Sequence, residues 1–129
     1  MRYIYFLLAL FFTNLEAKNQ PNFILILIDD LGLTDLEAFG GEIDTPNINF
    51  LAENGLMFTN YHTSPECAPS RAMLLTGMDN HKTGIPMIPE VLPRNLRKNK
   101  GYEGYLVPEA LTIAEVLKKS GYRTYMTGK

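Results

Sequence analysis

The apolar positions of this chain gather into continuous runs separated by segments of helical pattern. Phe23-Ile24-Leu25-Ile26-Leu27-Ile28 is apolar throughout and rich in β-branched residues. A run without polar alternation predicts a strand buried on both faces, as in a parallel sheet lying under helices. It stops abruptly at Asp29-Asp30, followed by Leu31-Gly32. Residues 56–61 and 122–127 predict a second and a third strand. Thr45-Pro46 predicts the start of a helix reaching Asn54-Gly55, with Ile48, Leu51 and Ala52 on one face. Pro69 predicts the opening of another, through Arg71 to Leu75, closed by Gly77. Thr112-Ile113-Ala114-Glu115 has the form of a capping box. The helix behind it ends at Ser120-Gly121 with Lys118 and Lys119 in its last turn, where the helix dipole favours cations. Residues 83–108 are rich in Pro, Gly and Asn and predict a long loop. Strands alternating with helices indicate an α/β fold.

The N-terminus changes the picture of where the protein works. Arg2 is followed by ten apolar residues from Tyr3 to Phe12, then a polar stretch ending in Leu15-Glu16-Ala17. This is the pattern of a signal peptide over residues 1–17. The apolar run is shorter than the roughly 20 residues of a membrane span. The expected location is therefore exported, periplasmic or secreted, with no stable membrane span. Residues 18–129 are left for the folded part. The formal net charge of −2 argues against nucleic acid as a partner. Cys67 is the only cysteine. It has no internal disulfide partner, so in an oxidising compartment it needs another explanation.

In open α/β sheets ligands gather outside the carboxyl ends of the strands. Asp29 and Asp30 follow the first strand there, and Gly128 and Lys129 the third. Adjacent carboxylates at a strand end suit a hard cation, calcium or magnesium, although a solvated turn gives the same pair. One cysteine with His62 and His81 lacks the spacing of a zinc site. Cys67 reads as an apolar filler, a thiolate nucleophile or a modified residue. Cys67 and Arg71 are four residues apart and share a helix face. Free N–H groups at a helix start, with Arg71 beside them, form a seat for a tetrahedral anion.

Cys67-Ala68-Pro69-Ser70-Arg71, followed by Ala72-Met73-Leu74-Leu75-Thr76-Gly77, resembles the first motif of the type I sulfatases. "PNFILILIDDLG" is similar to the first strand and metal-binding aspartates of that family. "DTPNINFLAENGLMFTNYHTSPECAPSR" is similar to the approach to the motif cysteine. "GYEGYLVPEALTIAEVLKKSGYRTYMTGK" is similar to the approach to the second motif. The resemblance covers essentially all of residues 18–129 and is closest to bacterial arylsulfatases. It implies an alkaline-phosphatase-like fold, of which this chain would hold the N-terminal part of a mixed, largely parallel sheet between helices.

The resemblance also implies a chemistry. Cys67 would be converted to Cα-formylglycine by a separate formylglycine-generating or equivalent maturing enzyme. The aldehyde hydrates to a geminal diol. One hydroxyl attacks the sulfur of a sulfate ester, and the second loses its proton to expel sulfate. Asp29, Asp30 and the oxygen at residue 67 would hold calcium, with magnesium the second choice. Arg71 would hold the hydrate, and Lys129 the sulfate or the formylglycine. The expected substrate is an aryl or carbohydrate sulfate. Glu66 departs from the small or apolar residue usual before the motif cysteine and is expected to matter little. The second motif stops at Lys129, so the chain reads as an N-terminal fragment, inactive alone. A phosphonate monoester or phosphodiester hydrolase on the same scaffold, and a non-catalytic exported remnant, are the alternatives.

Other residues have plainer readings. His62, His81, the basic run Arg94, Arg97, Lys98 and Lys100, and the tyrosines at 102, 105, 122 and 125 are expected to be loop and packing residues.

Overall fold

The computed structural model describes residues 20–129. The signal peptide expected at 1–17 lies outside the described residues. After the Asp29-Asp30 bend come two 3-10 turns, Leu33–Asp35 and Glu37–Phe39. Four α-helices follow: α1 (Pro46–Asn54), α2 (Cys67–Thr76), α3 (Asn80–Thr83) and α4 (Ile113–Lys119).

Local sequence accounts for each helix boundary. Pro46 opens α1, where its fixed φ suits the helix and its missing N–H is not needed. Of the face expected on α1, Ile48 and Ala52 are half-buried while Leu51 is exposed. Helix α2 begins two residues before the expected Pro69, because proline fits anywhere in the first turn. It ends at Gly77, whose φ of 67° lets its N–H turn back to Met73 O. The short α3, unexpected from the sequence, is capped by Asp79, whose carboxylate accepts from His81 N at 3.0 Å. The capping box of α4 forms as expected: Glu115 N donates to Thr112 Oγ1 at 3.3 Å, and Thr112 N donates to Glu115 Oε2 at 2.8 Å.

The three expected strands do not form a sheet among the described residues, which contain no strand. A strand is defined by backbone pairing, and the segments concerned meet only through side chains. Gln20 Nε2 donates to Ser120 O at 3.1 Å. Phe23 and Tyr122 pack with ring centroids 5.6 Å apart. Lys129 Nζ donates to Asp29 Oδ2 at 2.6 Å. These contacts ascend together along both segments, so 20–29 and 120–129 run parallel. Their carboxyl ends therefore meet, as the sequence predicts for the site. The apolar faces stay open: Ile24 is 86% exposed and Tyr125 86%.

The core lies instead around α2. Helix α2 packs on α3 and α4. Ala72, Leu92 and Ala110 are buried, and Pro69 and Thr83 are completely so. The loop expected at 83–108 is irregular but tied down. Gly104 N donates to Gly84 O at 2.7 Å and Val107 N to Thr83 O at 3.0 Å. Gly84 has φ of 87°, and a Cβ there would lie 2.5 Å from Tyr105 O. Gly84→Ala is thus expected to destabilise the full-length protein by at least about 2 kcal/mol, through left-handed strain and a backbone collision. A denaturant midpoint equal to wild type would contradict this.

Candidate active site

The site is built where the first segment bends. Asp29 closes the apolar run, and Asp30 takes φ of 56°, the left-handed region that Asp tolerates better than most residues. The backbone bends there, and both aspartates line a cavity of about 260 Å³ together with Glu66, Cys67, Ser70 and Arg71. Asp35 and Glu37, the next carboxylates, are engaged elsewhere. Asp35 Oδ2 accepts from Gly32 N at 2.7 Å, and Glu37 Oε2 accepts from Thr45 N at 3.2 Å.

Helix α2 brings the second part. Cys67 is its first residue, so the N–H groups of Cys67 and Ala68 have no partner within the helix. The N-terminal turn is fixed by the buried Pro69 and by Ser70 Oγ, which donates to Ser64 O at 2.9 Å. One turn on, Arg71 Nη2 donates to Asp29 Oδ1 at 3.2 Å. Its Nε is buried without a protein partner. An unmet buried donor is unfavourable unless a ligand or water meets it, so this atom fits an anionic group in the cavity.

Lys129 brings the third. Its Nζ is 2.6 Å from Asp29 Oδ2 and 3.5 Å from Cys67 Sγ. Of the residues singled out from sequence, Asp29, Cys67, Arg71 and Lys129 thus converge on one point, with Asp30 on the cavity wall. His62 and His81 lie elsewhere: His62 Nε2 hydrogen-bonds Asn60 Oδ1, and His81 packs edge-on against Tyr102.

The carboxylates of Asp29 and Asp30 are hard donors of the kind calcium and magnesium take. Among the described residues no group of three or more His, Cys, Asp or Glu side chains gathers as a metal site. Calcium takes about six to eight oxygens, so two aspartates fit as part of a shell only.

The electrostatics follow from the contacts. The Lys129 hydrogen bond, then that of Arg71, holds the Asp29 carboxyl below its ordinary value. The same bond to Asp29, then the contact with Cys67, raises Lys129. A lowered acid contributes stability above its unfolded pKa and loses it as pH falls through the folded one. A raised base contributes below its unfolded pKa and loses it as pH rises through the folded one. The ion pair is therefore intact from below about pH 4 to above about pH 10. In Lys129→Met the Asp29 midpoint, read by carbon NMR, is expected to move upward. An unmoved midpoint would show that the contact does not hold in solution.

Sequence reasoning missed the wall beyond Cys67. A second cavity, of about 490 Å³, shares Cys67, Arg71 and Lys129 with the site and is lined also by Ile88, Pro89 and Glu90. Glu66, expected to matter little, accepts from Ile88 N at 2.6 Å. The one signal in the sequence was the unusual carboxylate before the cysteine.

The family model described as Sulfatase matches residues 21–129. The chain is 43% identical over 121 residues to an uncharacterized sulfatase of Schizosaccharomyces pombe, covering 92% of this chain and 22% of that protein. It is 43% identical over 112 residues to an arylsulfatase of Klebsiella aerogenes, covering 87% and 24%. It is 43% identical over 117 residues to arylsulfatase A of Homo sapiens, covering 89% and 22%. The chain spans about a quarter or less of the length of these relatives. A match to the family over nearly all the described residues, with identities of this size to several members, means that the chain belongs to the sulfatase family.

Proposed function

We propose that the protein hydrolyses sulfate esters, and that this chain carries the nucleophile end of its active site. The observation that carries the reading is that Arg71 and Lys129 both pair with Asp29 while Lys129 also reaches the sulfur of Cys67. A lysine at the sulfur, a helix N-terminus carrying Cys67 and an unmet Arg71 donor in the same cavity suit a tetrahedral oxyanion and the charge that develops as its ester bond breaks. Cys67 acts after conversion to formylglycine by a maturing enzyme. Arg71 and Lys129 hold the sulfate and the hydrated residue 67 by charge and hydrogen bonds. Asp29 orients both cations and, with Asp30, forms part of a calcium site. A cation held by Asp29 and Asp30 would supply Lewis-acid polarisation of the sulfate. In the longer protein the segments 23–28, 56–61 and 122–127 become strands of a largely parallel sheet, with neighbours supplied by further chain. Residues 1–17 direct export. The described residues contain no helix long and apolar enough to cross a membrane.

The test is a substrate panel on the full-length protein, with mass analysis of the Cys67 peptide. Sulfate esters are expected to exceed phosphate diesters and phosphonate monoesters in kcat/KM. The peptide is expected to be lighter than the unmodified one. Faster turnover of phosphonates or phosphodiesters would move the assignment to that class. An inactive protein with an intact thiol would make it a non-catalytic member.

A further inference from the structure

We infer that Glu66 is a positioning residue, holding Ile88–Glu90 as the wall that receives the alcohol part of the ester. This rests on the reading of Cys67, Arg71 and Lys129 as the sulfate side. The carboxylate of Glu66 does not cap its own helix. It reaches across 22 residues of chain to accept from Ile88 N at 2.6 Å. On the other side, Arg97 Nη2 donates to Pro89 O at 2.6 Å. Two adjacent residues of an irregular loop are thus clamped by opposite charges through their backbone. The clamp has firm footing: Asn80 Nδ2 donates to Pro86 O at 3.0 Å, and Leu92 is buried.

What the clamp holds is part of the lining of the larger cavity, which Cys67 and Lys129 also line. A volume of about 490 Å³ lies within the range of small-molecule sites, at roughly 300–1,000 Å³. Ala68, Ile88 and Pro89 make its surface largely apolar, and the exposed Glu90 stands at its edge. A wall of that kind favours an apolar alcohol and repels a second anionic group. The placement follows from the helix: Glu66 is joined to Cys67, so the clamp fixes the wall relative to residue 67 itself.

The test compares Glu66→Ala, Glu66→Gln and Arg97→Ala in the full-length enzyme with 2-naphthyl sulfate as substrate and inorganic sulfate as inhibitor. In Glu66→Ala, KM is expected to rise about tenfold, the scale of one lost charged hydrogen bond, with kcat within about twofold. The inhibition constant of sulfate, which reads the sulfate side alone, is expected to stay unchanged. Glu66→Gln keeps an acceptor and is expected to restore most of the KM. Arg97→Ala, at an exposed position, is expected to move KM the same way. Amide exchange at Ile88 is expected to quicken in Glu66→Ala. An unchanged KM or Ile88 exchange rate in an active enzyme, or a parallel rise in the sulfate inhibition constant, overturns the wall. A wild-type enzyme that hydrolyses no sulfate ester overturns the proposed function, and the wall with it.

Discussion

Cys67→Ser in the full-length protein is expected to end steady hydrolysis of aryl sulfates, with a loss of at least about 10⁴-fold in kcat. In the proposed mechanism the hydroxyl of serine would be placed to attack sulfur, with Arg71 and Lys129 left to hold the sulfate. What serine lacks is a second oxygen on the same carbon to expel it. The variant should therefore release up to one alcohol per enzyme molecule in a burst and then stop. Its thermal midpoint should stay near wild type, because Cys67 is only half-buried and its sulfur contacts one exposed lysine. Steady turnover above about 1% of wild type would remove residue 67 from the nucleophile's role.

The isolated segment 18–129 is expected to show no cooperative thermal transition and no tight calcium binding. Large apolar side chains stay open to solvent: Leu56 is 89% exposed, Phe58 72% and Met126 75%. Among the described residues, Ala72, Leu92 and Ala110 are too few buried apolar side chains to offset the conformational entropy of ordering them. Among the described residues calcium would find Asp29, already held by two cations, Asp30, and Glu66, already engaged by Ile88 N. A sharp melting curve by circular dichroism, together with saturable calcium binding, would contradict this expectation.

Legibility in the sequence followed the range of the interactions. Helices α1, α2 and α4 were readable because Pro46, Gly77 and the Thr112–Glu115 box act within a turn. Helix α3 was hidden because a single turn leaves no periodicity. The apolar run at 23–28 has the composition of a buried strand, but pairing belongs to its neighbours and cannot be read from the run. The meeting of Asp29, Cys67, Arg71 and Lys129 was foreseeable from strand ends and a family motif. The left-handed bend at Asp30 and the span from Glu66 to Ile88 were not, since neither leaves a local pattern. Arg97, placed among ordinary solvated loop residues, turned out to hold Pro89 O.

Asp29 accepts one hydrogen bond from 42 residues downstream and another from 100 residues downstream. Both are loop closures, and their entropies differ little: the longer costs only about 0.8 kcal/mol more, by the logarithm of loop length. The order of events is therefore set by synthesis. During translation Arg71 emerges first and can pair with Asp29 while Lys129 has yet to be made. A nascent chain would then carry a half-charged site, with the sulfur of Cys67 still uncovered by the lysine. The second cation reaches Asp29 only once Lys129 has been made.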